Sequence, residues 1–379
     1  MHVAELREPA ELEHVRQVWH DLACNCGHDT PYVLPEFLLP WMRRLENRYR
    51  YRFLLVWQGA QLVGLAPVVE RNITRLGIPL LRLRGFPEAA PNPPCDVLVR
   101  EGSEGVAEAM FDHWQRQQDW DVIELPTVPV ESNSVRHLIE LARGAGWHAE
   151  SRPAVETYAV PVCGSWEEFH ASRSKKTRQN LRRGLRYFEG IGTTRFATYP
   201  GDLPLGEACR QVAHVVARSW KEHEEGPSGW NAFLRDIITE FDSTGLLRLH
   251  FLLVNGDAVA YLLDVPFRDA WYAIHNAYDL RFPSGNAGQL VLAHALEDAH
   301  RRGVLRYDFT GDKDYLRRWT KTTRRFQNVR IHRAEAITRL KLRAYDWIHG
   351  RRTRAILSQT ELDKAAKKDA ERDPDHADQ

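Results

Sequence analysis

The sequence has few cysteines and no long apolar run. Its five cysteines are an odd number scattered from Cys24 to Cys209 in a chain of 379 residues, which favours reduced thiols over a disulfide framework. No uninterrupted apolar run reaches the roughly 18 residues that cross a membrane, and the first residues lack the basic-then-apolar order of a secretory signal. The sequence therefore predicts a cytoplasmic protein that is not an integral membrane protein.

The sequence also lacks an excess of either charge. Its 52 Lys and Arg and 51 Asp and Glu give a net charge of +1, so the charge of the whole chain selects no polyanionic partner, and DNA is not expected. Locally the charge is uneven, because residues 173–186 include seven basic side chains and no acidic one. Such a run is either a solvated helix face or a contact with phosphate or nucleic acid.

The chain does have enough apolar sequence for large cores. Hydrophobic residues make up 43% and charged residues 27%, which is ordinary for globular proteins. A chain of this length exceeds the size at which one hydrophobic core stops growing. Two or three domains are therefore expected.

A short repeat indicates that two of these domains are related. The sequence Phe-Leu-Leu-Val occurs at residues 53–56 and again at 251–254, each time at the head of a strand–turn–strand pattern. In the second copy the turn is Asn255-Gly256, a pair that suits the positive φ angles of a tight hairpin. The repeat therefore predicts equivalent hairpins in the two halves.

Strands and helices alternate after each copy of the repeat. In the second half a strand at 271–277 precedes a helical pattern that stops at Gly303, and a strand at 305–309 follows. In the first half the corresponding helix and strand are 105–118 and 121–125. This order predicts a mixed α/β sheet of the α+β type.

Three regions are predicted from breaks in these patterns. Glycines 144 and 146 and Pro153 interrupt a helical pattern, so the predicted domains are residues 1–150 and 151–335. Residues 336–379 are predicted to form an amphipathic helix followed by a disordered charged tail. The helix has an apolar stripe that packs on the protein or, alternatively, on a membrane surface. The stripe consists of Ile337, Leu340, Ala344 and Trp347.

Several short motifs of the second half occur in the order seen in a known family. They are Ser219-Trp220-Lys221, Asn286-Ala287-Gly288-Gln289-Leu290-Val291-Leu292, Gly303, Tyr307-Asp308-Phe309 and Gly311. This arrangement resembles the frame of the CelD/BioF2-like acyltransferases, a branch of the GNAT superfamily related to the FemAB aminoacyl transferases. The resemblance covers most of residues 40–335. It implies two tandem GNAT-like domains, the first degenerate or substrate-shaping and the second binding acyl-CoA.

The turn before the last long helix is the predicted site for acyl-CoA, with acetyl-CoA as the expected donor. A helix N-terminus offers unpaired N–H groups and a favourable dipole to a pyrophosphate, and glycines there let the backbone approach closely. A glycine-bearing turn without a ligand is the alternative. Relatives have a Ser-Pro-Gly-x-Leu-Leu-Leu motif at this place, which adds to the first interpretation. The predicted donor-binding residues are Gly285, Asn286, Gly288, Gln289 and Leu290.

Amide formation from a thioester requires a neutral amine. An amine with a pKa of about 10.4 loses about 4.6 kcal/mol to protonation at neutral pH, so a base or water relay is expected. His275 is the predicted base, with a structural histidine as the alternative; Asp279 and Asp308 are further candidates, and Asp308 could instead fix a loop. Strict strand alternation places His275 on the face of Trp271 and Ala273.

Another catalytic candidate follows the Asp-Phe-x-x-Gly element, where relatives usually have a Tyr-Lys pair. Here Tyr315 is present, but Leu316 replaces the lysine, and Arg317 or Lys313 would have to supply its charge. Tyr315 is predicted to donate a proton to the leaving thiolate or to orient the substrate. Packing in the core is the alternative interpretation.

The acceptor is expected to be the amine of a small molecule, sugar or peptide. Trp220, Lys221, Arg182 and Asp279 are the predicted acceptor-binding residues. No cysteine lies in a recognisable nucleophile context, so the amine is expected to attack the thioester directly in a ternary complex. The FemAB relation leaves aminoacyl transfer from charged tRNA as an alternative, with residues 173–186 contacting phosphates. A catalytically inactive binding module is a third possibility.

No metal is expected. His20, Cys24, Cys26 and His28 are close in sequence, but their spacing does not match that of a zinc finger or zinc ribbon. An ordinary loop between helices of the first domain accounts for them better.

Overall fold

Apolar strands paired as hairpins form the framework of both halves of this computed structural model. It describes residues 1–43, 49–75, 78–87, 94–219, 230–335 and 338–343. The strands, in chain order, are β1 (His2–Leu6), β2 (Arg50–Tyr51), β3 (Phe53–Gln58), β4 (Gln61–Ala66), β5 (Val69–Arg75), β6 (Ile78–Gly85), β7 (Leu98–Val99), β8 (Val122–Pro129), β9 (His148–Pro161), β10 (Thr194–Tyr199), β11 (Arg248–Val254), β12 (Asp257–Phe267), β13 (Ala270–Tyr278), β14 (Arg306–Asp308) and β15 (Thr323–His332).

Helices connect and cover these strands. They are α1 (Pro9–His14), α2 (Arg16–Cys24), α3 (Pro35–Arg43), α4 (Val106–Arg116), α5 (Asn133–Gly144), α6 (Trp166–Ser172), α7 (Lys175–Ile191), α8 (Leu205–Val216), α9 (Trp230–Ser243) and α10 (Ala287–Arg301). The predicted mixed α/β class is therefore confirmed.

The Phe-Leu-Leu-Val repeat lies in equivalent hairpins, β3–β4 and β11–β12, both antiparallel. Asn255 and Gly256 have φ angles of 53° and 92°, which are the left-handed values that the Asn-Gly pair predicts. Each half also has a parallel strand pair, β6 with β8 and β13 with β14. Helices α4 and α10 make the two crossovers, so the element order supports two related domains.

Two strands join the halves into one large sheet. Its strand order is β10-β11-β12-β13-β14-β9-β15-β8-β6-β5-β2, and a second sheet has the order β1-β3-β4-β7. The C-terminal strand β15 pairs with β8 of the first half and with β9. The predicted boundary at residues 150 and 151 falls inside the continuous strand β9, and the division into domains remains a prediction.

The cores lie on opposite faces of the second half's sheet. One cluster extends into the first half and includes residues of α8 and α9, with Phe37 contacting Phe233 edge to face at 6.0 Å between ring centroids. The other cluster lies between the sheet and α10, where Val291 and Leu296 are fully buried. Each such side chain stabilises the fold by roughly 1.5–3 kcal/mol. Helix α10 ends as predicted, with Gly303 at a φ of 68°.

A partly buried ionic cluster also connects the halves. Asp29 accepts hydrogen bonds from Arg306 and Arg324 at 2.8 and 2.7 Å, and Arg324 also donates to Asp308 at 2.9 Å. Burial alone would raise the pKa of Asp29, but the two guanidinium groups outweigh it and lower that pKa. These contacts hold the loop before α3 against the start of β14.

The predicted C-terminal region, 336–379, lies outside the described residues except for 338–343. In that segment Leu342 is buried against Leu81 and Leu83, whereas Leu340 is exposed. Leu340 therefore does not pack on the described part of the protein, because the neighbouring face of the segment meets the sheet, and packing of the stripe on a membrane surface stays a prediction. None of the helices in the described ranges has the length and apolar character needed to cross a bilayer.

Candidate active site

A groove lies beside the end of β13, beyond the point where β13 and β14 separate. Their last paired residues are Tyr272 and Asp308; within the described ranges no strand pairs with this edge of β13 beyond Tyr272. The groove has a volume of about 410 Å³ and extends from the free edge of β13 to the first turn of α10. Its lining includes Asn276, Tyr278, Phe282, Gly288, Tyr315 and Arg318.

The first turn of α10 faces this groove. Asn286 is the N-cap in a left-handed conformation, with a φ of 55°, and its side chain makes no capping hydrogen bond. A Cβ at Gly288 would meet only the ring of Tyr278, at 3.4 Å, so the space above the glycine belongs to the groove. Asn286, Gly288 and Gln289 line it. This surface combines backbone N–H groups, a helix dipole and close access, which suit an anionic group.

Two other predicted donor-binding residues, Gly285 and Leu290, support the turn on the side away from the groove. A Cβ at Gly285 would lie 2.3 Å from Cζ of Phe188, so this glycine allows α7 to pack closely. Leu290 is buried in the core under α10. Neither residue lines the groove as described, and both position the residues that do.

The basic helix α7 packs against the same turn. A Cβ at Gly184 would lie 2.5 Å from the carbonyl oxygen of Gly285, and Arg182, Arg183 and Arg186 lie on the exposed side of α7. Arg182 is exposed; burial, together with the charges of Arg178 and Arg182, lowers the pKa of His170 on α6. The predicted acceptor contact of Arg182 therefore lies on an exposed basic face beside α6.

Tyr315 lies in the groove as a neutral hydrogen-bonding group. Burial raises its pKa, although a hydrogen bond with the Asn276 side chain lowers it in part. A neutral phenol beside the free edge of β13 can donate a proton to an anion formed there.

The cation of the groove is Arg318. Leu316 is buried in the core, so the position where relatives have lysine faces away from solvent. Arg317 is held by Tyr158 at 2.6 Å and by Asp314, whereas Arg318 lines the groove. Sequence reasoning missed Arg318, because motif spacing does not show which way a short helical turn directs each side chain.

A β-bulge sets the direction of His275. Leu263 pairs with His275 and Asp264 with Ala273, so Ile274 is an extra residue in β13. Its Nδ1 lies 2.7 Å from the hydroxyl oxygen of Tyr261 in the cluster that includes α8 and α9. The predicted grouping of His275 with Ala273 is therefore wrong, because Ala273 belongs to the opposite cluster under α10.

Asp279 and Asp308 both organise loops. Asp279 is fully buried and accepts hydrogen bonds from the backbone N–H and guanidinium of Arg281. Burial would raise the pKa of Asp279, but the bonds from Arg281 lower it. Asp308 accepts from the backbone N–H of Thr310 at 2.8 Å and from Arg324. These contacts favour structural roles for both carboxylates.

The apex of the strand separation contains a residue from the first half. The Thr310 hydroxyl donates to the carbonyl of Ala273 and so bridges the two strands where their pairing ends. The hydroxyl of Tyr32, just before α3, is hydrogen-bonded to Thr310, and burial raises the pKa of this phenol. Nothing in the sequence pointed to Tyr32, because the contact joins residues that are distant along the chain.

Three further predictions concern the acceptor contacts, a metal site and the cysteines. Trp220 and Lys221, the predicted acceptor contacts, lie outside the described residues. Among the residues that the structure describes, no group of three His, Cys, Asp or Glu side chains is placed to hold a metal ion. All five cysteines are unpaired, as expected from their number and distribution.

Comparison with known families identifies the second half. A family model described as an acetyltransferase (GNAT) domain matches residues 175–318, a range that contains α7, the groove and Arg318. No curated protein matches the chain by sequence. This match confirms the predicted GNAT domain over residues 175–318 and supports the predicted acyltransferase class.

Solved structures extend the likeness over most of the chain. A crystal structure of FemX has 11% sequence identity and a TM-score of 0.59, covering 87% of this chain and 97% of that chain. The structure of L-PGS from Bacillus licheniformis has 13% identity and a TM-score of 0.54, covering 90% of this chain and 97% of that one. At such low identity these similarities establish the shared fold alone, which includes both halves.

Proposed function

We propose, on the premise that residues 175–318 form a GNAT acetyltransferase domain, that this protein is an N-acyltransferase that moves an acyl group from acyl-CoA to an amine. The observation that carries the proposal is the groove beside the end of β13, where β13 is no longer paired with β14, which leads to the uncapped start of α10. A free edge can pair with the amides of an extended ligand, and a helix start can bind a pyrophosphate.

The groove residues fit such a donor in three ways. Asn286, Gly288 and Gln289 would hold the pyrophosphate at the first turn of α10, and Arg318 would add a positive charge. Gln289 is itself held in place, since its Oε1 accepts a hydrogen bond from Trp319 at 3.0 Å. The free edge of β13 would bind the arm that reaches the apex, with acetyl as the expected acyl group.

The proposed reaction is direct attack in a ternary complex. His275 would accept a proton from the attacking amine, and a new C–N bond would form as the thioester C–S bond breaks. Tyr315 would donate a proton to the leaving thiolate. His275 lies on the side of α8 and α9, opposite Asn276 and Tyr278 across β13, so the amine of a small molecule, sugar or peptide would approach from that side.

Calorimetry on the full chain tests the proposed donor. Acetyl-CoA should bind with one site per chain, and longer acyl-CoA molecules would show the limit of chain length. Aminoacyl-tRNA serves as the competing donor. Binding of charged tRNA without measurable binding of any acyl-CoA would replace the proposal with aminoacyl transfer.

Aminoacyl transfer is the second candidate because the exposed basic residues of α7 lie beside the groove turn and the fold resembles that of FemX. Binding of tRNA through phosphates would weaken steeply with salt, since bound counterions are released. Charge reversal of Arg182 and Arg183 separates the two candidates. It should abolish such binding and leave the affinity for acetyl-CoA within about threefold, since exposed charges are screened by salt.

Tyr32→Phe should lower kcat by about tenfold with little change in KM. Without its hydroxyl, Thr310 would lose one of the contacts that hold it at the apex, and small misplacements of reacting groups are costly in rate. Steady-state kinetics would measure kcat and KM separately. Tyr51→Phe is the matched control, because it removes a buried hydroxyl that donates to Met42 in the same half at 3.2 Å.

Each of the two tyrosine variants should lose about 0.5–1.5 kcal/mol of stability. An equal fall in kcat for both variants would show that Tyr32 acts through stability alone. An unchanged kcat in Tyr32→Phe would show that Tyr32 has no role in the active site.

A further inference from the structure

A second cluster of reactive groups lies on α2 and α3, outside the groove lining. His20 and Cys24 are one helical turn apart, and Nε2 of His20 lies 3.4 Å from Sγ of Cys24. The other ring nitrogen, Nδ1, lies 3.0 Å from Oε1 of Glu36 in the first turn of α3. The three side chains form a thiol–imidazole–carboxylate chain, the arrangement in which an oriented base activates a nucleophile.

Glu36 is the buried partner of His20. Glu36 is 1% exposed and its neighbours along α3 are buried apolar residues. In the described part of the chain its one ion pair is with His20, and its Oε2 has no hydrogen-bond partner. A buried carboxylate is costly without a cation. The hydrogen bonds that the ring of His20 makes to Cys24 and then to Glu36 raise the pKa of His20 to about 10.

Cys24 differs from its neighbouring thiol in accessibility. Cys24 is exposed, whereas Cys26 is fully buried, donates to the carbonyl of Ala23 and has a pKa raised by burial to about 11. Cys24 is the last residue of α2, where the helix dipole disfavours a lone thiolate and favours an imidazolium. Activation of Cys24 therefore depends on His20.

We infer that Cys24 is an activated thiol, paired with the imidazolium of His20 and held by Glu36, and that it is a site of oxidation by small hydroperoxides. The thiolate sulfur attacks one peroxide oxygen, an S–O bond forms and the O–O bond breaks. The departing oxygen takes the proton of His20 and leaves as water or an alcohol. Sulfur is oxidised to a sulfenic acid while the peroxide is reduced. Transfer of an acyl group to Cys24 would require a donor site beside this thiol. The lining of the proposed donor groove includes no residue of α2 or α3.

Alkylation of the full-length protein with iodoacetamide at neutral pH tests the activation, with rates measured for each cysteine by peptide mass spectrometry. Cys163 is the internal control because it is also exposed. It lies in a groove with the cations Arg173 and Lys321, which make the comparison stringent. Cys24 should react about tenfold faster, because the imidazole of His20 lies 3.4 Å from its sulfur and can assist its attack. Equal rates in the folded protein would overturn the inference.

The dependence on His20 and on peroxide is tested separately. His20→Gln should slow Cys24 to about the rate of Cys163 and leave Cys163 unchanged; continued fast reaction of Cys24 would contradict the pairing. After treatment with hydrogen peroxide, dimedone should label the sulfenic acid of Cys24 before that of Cys163. Equal labelling of the two cysteines would contradict the proposed oxidation site. If His20→Gln does not fold, the wild-type comparison still decides, since the difference between the two cysteines should disappear in urea.

Discussion

Gly288→Asp should weaken acetyl-CoA binding on the order of a hundredfold, which corresponds to about 2.7 kcal/mol. The new carboxylate would occupy the open space above the first turn of α10, where the pyrophosphate is proposed to bind. Two like charges about 4 Å apart at an effective dielectric constant of 20 repel by about 4 kcal/mol. This repulsion is large enough to cause the expected loss of binding free energy. Calorimetry would measure the affinity, and circular dichroism would establish the fold.

Gly288→Ala is the matched control. Its Cβ would lie 3.4 Å from Tyr278, an ordinary contact, and alanine is favoured over glycine in a helix by up to about 1 kcal/mol. This variant should fold and keep its affinity within a few-fold. Gly285→Ala should instead disturb the fold, because its Cβ would lie 2.3 Å from Phe188. A folded Gly288→Asp protein with unchanged affinity would place the donor elsewhere.

His275→Ala should lower turnover by about 10² to 10⁴ with little loss of acyl-CoA affinity. This is the usual contribution of a positioned general base, and the side chain lies across β13 from the groove residues Asn276 and Tyr278. Steady-state kinetics with a saturating donor, together with calorimetry, would separate the two effects. A structural role alone would instead lower stability and leave the activity of the folded fraction unchanged.

Two further sets of variants test whether the effect at His275 comes from its imidazole and from direct attack. Tyr261→Phe keeps the imidazole but removes the hydroxyl at 2.7 Å from Nδ1, so it should have a smaller effect, of about tenfold. Replacing each of the five cysteines with Ser should leave turnover largely unchanged, because no acyl-cysteine is proposed. An inactive cysteine variant together with an active His275→Ala would replace direct attack with a ping-pong route.

Local sequence determined the parts of the fold that depend on neighbours along the chain. Asn255-Gly256 formed the predicted hairpin turn and Gly303 the predicted helix stop, because both use left-handed φ angles that these residues adopt readily. The motif from Asn286 to Gln289 likewise lies at a helix start, as its glycine and the apolar residues after it indicated.

Only the tertiary structure decided which side chains meet. The extra residue Ile274 changed the face of His275, a shift that depends on pairing with β12 and that alternation along one strand does not reveal. Tyr32 reaches the apex because the ion pairs of Asp29 hold its loop against β14. Leu316 turned into the core and left Arg318 as the groove's cation, because burial of an apolar side chain sets the rotation of that turn. Contacts between distant residues carry no local sequence signal, whereas turns and helix ends do.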